Sequence, residues 1–167
     1  MIRIEHNMIQ ISLYLICTQS FIVEITVLIN PLGEGKVLKI LLAEDDFASR
    51  KFMMRFLEKY GECDVTVDGL EAVEAFDMAL ESKECYDLVC LDIMMPVLDG
   101  YQALSRIRET EINHGISEDK RVKIIMTTAL NERRNVTKAF ELGCTAYAGK
   151  PIDQEKFENV LRKMELI

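Results

Sequence analysis

A small set of polar residues stands close behind short apolar runs. Glu44, Asp45 and Asp46 follow residues 38–43 (LKILLA), and Asp92 follows 87–91 (DLVCL). Thr128 follows 123–127 (KIIMT), and Lys150, with Pro151 after it, follows 146–148 (AYA). Carboxylates held a few ångströms apart repel one another, and a divalent cation between them relieves the repulsion. Oxygen ligands without His or Cys favour Mg2+ over a transition metal. An aspartate can attack a phosphoryl group and form an acyl phosphate. Phosphoryl transfer asks mainly for positioning and charge neutralisation. A metal on one side and Lys150 on the other would supply that, with the Thr128 hydroxyl bonding a further oxygen. Singly, each residue has a plainer role: an acidic pair starts a helix, Thr128 caps one, and Tyr147 is a half-buried strand aromatic. Only convergence at one place gives them a joint meaning.

The surrounding pattern provides that convergence. Phe52, Met53, Phe56, Leu57 and Tyr60 recur at helical spacing, with Gly61 read as the end of the helix. Residues 64–67 read as a strand, and Ala72, Val73, Phe76 and Leu80 as a helix. Pro96 and Gly100 bracket a turn after the 87–91 strand, and a helix begins over 101–108. Val136, Ala139 and Phe140 mark a fourth helix, and Phe157, Val160, Leu161 and Met164 a fifth. Strand and helix thus alternate through five β-α units. That predicts an α/β fold, (βα)5, with a doubly wound five-stranded parallel sheet and helices on both faces. The strands are apolar runs rather than alternating ones, as double coverage requires. Ligand sites in such sheets lie beyond the carboxyl ends of the strands, which is where the polar residues stand.

Four motifs in this order carry a family resemblance: LLAEDD at 41–46, LDIMMPVLDG at 91–100, Thr128-Ala129 and Lys150-Pro151. Over about residues 38–164 the chain resembles the receiver domain of two-component response regulators, of the chemotaxis-regulator type. The resemblance implies a flavodoxin-like sheet of strand order 2-1-3-4-5. It implies that Asp92 takes a phosphoryl group from a phosphohistidine on a sensor histidine kinase or phosphotransfer protein. It implies Mg2+ bound by Asp45, Asp92 and the Met94 backbone carbonyl, with Glu44 acting through a metal-bound water. Thr128 and Lys150 would hold phosphoryl oxygens, Tyr147 occupies the aromatic switch position, and the peptide before Pro151 is expected to be cis. Asp46 is read as a helix N-cap rather than a ligand. Phosphorylation adds about two negative charges. Thr128 would move toward them, Tyr147 would fill the vacated space, and the face of the fourth helix, fifth strand and fifth helix would change. Arg133, Arg134 and Lys138 are candidate output residues on that face, or else a solvated helix surface.

The chain has 167 residues, 49% of them hydrophobic, and a net charge of −8, which argues against a nucleic-acid partner. The five cysteines have no CxxC pair, and His6 and His114 have no ligand spacing, so free thiols in a reducing cytoplasm are expected. Residues 1–36 read as an N-terminal extension and linker, and 37–167 as the receiver. The extension is poorly ordered or incidental, a β appendage with a turn at 17–20, or, less readily, a membrane segment over 9–29. Residues 30–35 read as its linker.

No output domain follows the fifth helix, so a stand-alone receiver signalling by protein contact is expected, not an enzyme. The alternatives are a relay intermediate that passes phosphate to a histidine protein, and a Mg2+-dependent aspartyl-phosphate phosphatase. Many such phosphatases carry an acid two residues after the nucleophile, where this chain has Met94. Two departures from the family stand out. The interval from Asp92 to Thr128 is long, with the excess assigned to a polar loop at 111–121. Met94 and Leu130 put apolar side chains beside the path of the attacking water, which is expected to slow autodephosphorylation.

Overall fold

The computed structural model describes residues 3–5, 8–15, 23–29, 37–129 and 133–167. The chain divides into two compact units, Met1–Gly35 and Lys36–Ile167. In the first, β1 (Arg3–Glu5), β2 (Met8–Leu15) and β3 (Val23–Ile29) form an antiparallel sheet in that order. Ile9 pairs with Ile29 and Leu15 with Val23. Strands therefore occupy most of the stretch that reads alternatively as a membrane helix. The expected turn at 17–20 and the linker at 30–35 lie outside the described residues. Among the described residues, no helix is long and apolar enough to cross a membrane.

The second unit alternates strand and helix. Its strands are β4 (Leu38–Ala43), β5 (Gly61–Thr66), β6 (Leu88–Asp92), β7 (Lys123–Thr128) and β8 (Ala146–Gly149). Its helices are α1 (Phe47–Leu57), α2 (Gly69–Glu81), α3 (Gly100–Asn113), α4 (Arg133–Glu141) and α5 (Gln154–Lys163). The sheet order is β5-β4-β6-β7-β8, all parallel, which is 2-1-3-4-5 counted from β4. The expected doubly wound (βα)5 fold is what forms.

Strand alternation splits the core in two. Leu41, Ala43, Val89, Leu91, Ile124 and Met126 pack under α2, α3 and α4 through Phe76, Leu104, Ile107 and Ala139. Leu38, Ile40, Leu42, Leu88, Cys90 and Ile125 pack under α1 and α5 through Met53, Phe56, Phe157 and Leu161. Each fully buried Leu, Ile or Phe contributes roughly 1.5–3 kcal/mol. Asp46, Asp68, Asp99 and Asp153 cap α1, α2, α3 and α5, each accepting from backbone N–H groups of the first turn.

Three sequence expectations are corrected. Gly61 does not terminate α1, which ends at Leu57 with Glu58 as C-cap. It opens β5 beside Leu38, where a Cβ would lie 1.9 Å from the Leu38 carbonyl oxygen. The glycine answers a close backbone approach, and the second strand starts earlier than 64. Phe52 and Phe140 lie in α1 and α4 as their spacing suggested, and are 42% and 50% exposed.

The third correction concerns the polar loop at 111–121. Glu111 belongs to α3 and is buried. Its Oε2 receives Arg108 Nη1 at 2.6 Å, and its Oε1 accepts from Val122 N at 2.7 Å. Arg108 also donates to the carbonyls of Val122 and Gly143, both at 3.0 Å. A buried charge pair survives only when its remaining hydrogen bonds are made, and here they are. This staple joins the end of α3 to the segments entering β7 and β8.

Candidate functional site

Every strand of the parallel sheet ends at the same edge, so the residues that follow β4, β6, β7 and β8 meet there. Position along each strand also fixes which face a residue takes. Glu44, Asp92 and Lys150 are in phase with Leu42, Cys90 and Ala148, on the α1/α5 face. Thr128 and Tyr147 are in phase with Met126, on the α2/α3/α4 face. The sequence-derived site is therefore two groups flanking one sheet edge.

The first group is a tight charge cluster. Lys150 Nζ lies 2.7 Å from Asp92 Oδ2 and 2.6 Å from Glu44 Oε2, and it hydrogen-bonds Glu44 Oε1 at 2.8 Å. Glu44 is fully buried, Asp92 is 5% exposed, and Asp45 is exposed. Carboxylate oxygens of Glu44, Asp45 and Asp92 all lie within 4.8 Å of one another. Burial pushes the Glu44 carboxyl above the ordinary range; Lys150 opposes this and Asp92 adds to it. Burial pulls the Lys150 ammonium down, but its bonds to Asp92 and Glu44 outweigh that and leave it raised. One ammonium thus bridges two carboxylates, with a third, Asp45, beside them. The donor set is all hard oxygen, which fits Mg2+.

The loop that follows Asp92 is held at several points. Met94 N–H donates to Asp92 Oδ1 at 3.3 Å, and Ile93 N–H to the Thr127 carbonyl at 3.3 Å. Gly100 N–H donates to the Ile93 carbonyl at 3.0 Å, tying the start of α3 back to the acceptor. A Cβ at Gly100 would lie 2.1 Å from the Asp92 carbonyl oxygen, so only glycine fits. Met94 itself is 62% exposed. Leu98 N–H donates to the Pro96 carbonyl at 2.6 Å, closing a three-residue turn about Val97. Val97 has φ +63°, a region that a β-branched residue adopts only under strain.

The second group is less exposed to the edge. Thr128 is fully buried, and its carbonyl accepts from Lys150 N–H at 2.8 Å. The Lys150–Pro151 peptide is cis. Tyr147 is half-buried against the α2/α3/α4 core, and burial pushes its hydroxyl up to about 12. Lys138, read as a free output cation, places its Nζ 4.1 Å from the centroid of the Tyr101 ring. The side chains of Arg133 and Arg134, and Leu130 altogether, lie outside the described residues.

Sequence reasoning passed over three residues here. Thr127 pairs with Asp92 in the sheet, is fully buried, and has a hydroxyl without a hydrogen-bond partner. The signal was a polar residue in phase with Asp92, hidden because it was counted as strand. Tyr101 donates to the Asn135 carbonyl at 3.1 Å, bridging α3 to α4. Arg50 donates from Nη1 to the carbonyls of Glu44 and Asp45, at 2.9 and 2.8 Å.

Comparison with known proteins agrees with this arrangement. The family model described as the response regulator receiver domain matches residues 40–162. The chain is 36% identical over 114 residues to the peroxide stress-activated histidine kinase mak1 of Schizosaccharomyces pombe, covering 68% of this chain and 7% of that protein. It is 29% identical over 126 residues to the probable transcriptional regulator ycf29 of Porphyra purpurea, covering 75% of this chain and 55% of that protein. The chain thus spans only part of the curated relatives it matches. Among solved structures, the receiver domain of the Arabidopsis thaliana histidine kinase CKI1 complexed with Mg2+ superposes with a TM-score of 0.67. Identity there is 26%, covering 76% of this chain and 91% of that one. A chain of the CheX-CheY-BeF3-Mg2+ complex from Borrelia burgdorferi gives a TM-score of 0.67 at 25% identity, covering 78% and 90%.

Proposed function

Because the chain belongs to the response regulator receiver domain family of two-component signalling, we propose that Asp92 is its phosphorylation site and that the reaction depends on Mg2+. The observation that carries this is the cluster itself: Lys150 bridging Glu44 and Asp92, with Asp45 close enough to share a cation with both. Asp45, Asp92 and the Met94 carbonyl would hold the metal directly, and Glu44 through a bound water. When bound, Mg2+ neutralises charge that develops on the phosphoryl oxygens. The rest is work for the chain's own residues. An Asp92 carboxylate oxygen attacks phosphorus, and the P–N bond of a donor phosphohistidine breaks. The leaving imidazole keeps the electron pair and takes a proton from solvent. The Lys150 ammonium, already at Asp92, transfers one hydrogen bond to a phosphoryl oxygen. The Thr128 hydroxyl takes another.

The donor we infer is a sensor histidine kinase or a phosphotransfer protein. A solved complex from Saccharomyces cerevisiae pairs the receiver domain of Ssk1 with the histidine phosphotransfer protein Ypd1; at 24% identity its likeness to this chain is one of fold alone. The output we infer is protein contact through α4, β8 and α5, governed by Thr128 and Tyr147. Turnover of external phosphate esters is not expected, since the position two residues after Asp92, where many aspartyl-phosphate phosphatases carry an acid, is Met94. The test is treatment with a small-molecule acyl phosphate and Mg2+, followed by intact mass. One phosphoryl group should be added to wild type and none to Asp92→Asn or in the presence of a chelator. Full addition to Asp92→Asn would overturn the assignment.

A further inference from the structure

Arg50, in the first turn of α1, is half-buried and turned back toward the acidic pair. A single nitrogen, Nη1, donates to the carbonyl oxygens of Glu44 and Asp45 at 2.9 and 2.8 Å. Those carbonyls lie just past β4, which ends at Ala43, so the sheet ladder no longer fixes them. Asp45 is exposed, so no packing holds its side chain, and the point from which its carboxylate reaches Glu44 and Asp92 is set by its backbone. Phe47, 67% exposed and away from both cores, has its ring centroid 5.7 Å from the Arg50 guanidinium carbon. The Lys51 ammonium lies 5.8 Å from the same centroid, so this exposed ring sits within cation–π range of two cations, one of them Arg50.

We propose that Arg50 is a positioning residue for the divalent cation: it clamps the backbone of Glu44 and Asp45 so that their carboxylates are set before the metal arrives, and Phe47 holds the clamp. This rests on the metal reading given above. Groups that orient metal ligands from outside the coordination shell commonly carry much of the affinity. Electrostatics alone argues the other way. A fixed positive charge beside the site repels a cation, so its removal should tighten binding.

That opposition of sign makes the test decisive. Mg2+ is titrated into the full chain by calorimetry, with urea unfolding as a control for folding. Arg50→Gln should weaken Mg2+ binding roughly tenfold, and phosphorylation should recover at saturating Mg2+. Arg50→Lys keeps the charge but is shorter and loses the guanidinium that reaches both carbonyls, and should weaken binding by a smaller factor; it decides the matter if Arg50→Gln does not fold. Phe47→Ala should weaken it less again. Unchanged or tighter binding in the arginine variants, with wild type binding normally, overturns the clamp and leaves the metal reading standing. A wild-type chain that binds no Mg2+ overturns both.

Discussion

The fit of Gly100 against the acceptor permits a quantitative test of how rigidly the site is held. Gly100→Ala adds one carbon at a point 2.1 Å from the Asp92 carbonyl oxygen and 2.9 Å from both the Asp92 carbonyl carbon and the Ile93 Cα. Real Cβ atoms essentially never approach closer than 3.0 Å, so backbone on one side must yield by about 0.9 Å. Overpacking of this kind costs roughly 1–3 kcal/mol. Because Gly100 is anchored through Ile93, the displacement falls on the peptide that carries the nucleophile. A misplacement of about 1 Å at a reacting group can cost on the order of 100-fold in rate. Phosphorylation of Gly100→Ala by an acyl phosphate should therefore slow about 100-fold at saturating Mg2+, followed by intact mass over time. Urea unfolding should show a folded protein with a lowered midpoint. Gly115→Ala is the control: nothing lies within 4 Å of its Cβ, so its φ of +69° costs stability but not phosphorylation. A folded Gly100→Ala phosphorylated at the wild-type rate refutes the claim that α3 fixes the position of Asp92.

Other consequences follow from the packing and the caps. Glu111→Ala leaves Arg108 buried and unpaired, and should lower unfolding stability by roughly 3–5 kcal/mol in urea titration; a loss under about 1 kcal/mol would show that water replaces the pair. Val97→Gly relieves the strained φ at a side chain 75% exposed. It should stabilise by about 1 kcal/mol, the strain less the entropy cost of glycine, and a destabilised variant would deny the strain. Backbone N–H of Lys156 holds the Asp153 carboxyl below its ordinary 3.8, so this cap stabilises above pH 3.8 and the contribution fades as pH falls through the lower, folded value. Asp153→Asn should flatten that acid limb of a stability–pH curve, and an unaltered limb would show that the cap contributes nothing.

Much of the fold was legible because its strands are apolar on both faces. The run LKILLA could be nothing but a doubly covered strand, and its bounds agree with β4 to the residue. The site was legible for a related reason: parallel strands carry their following residues to one edge, so order in sequence becomes proximity in space. What the sequence concealed were polar side chains spent on structure. Glu111 looked like loop because a carboxylate in a helix interior gives no sign that an arginine three residues back will bury with it. Gly61 looked like a helix stop because the neighbouring Leu38 backbone that demands a glycine is distant in sequence. Arg50 was passed over because hydrogen bonds to main-chain carbonyls leave no trace in residue type.

The Arg108–Glu111 staple has a mechanical meaning. It pins the end of α3 to the chain entering β7 and to the turn before β8, at the edge of the sheet opposite the charge cluster. β7 and β8 are thus anchored like beams at one support, with Thr128 and Gly149 at their far tips. Sliding the support would strand a buried charge. On the proposed reading, phosphorylation of Asp92 would therefore be expected to act sideways, across the tips toward Tyr147 and α4, and not down the length of the domain.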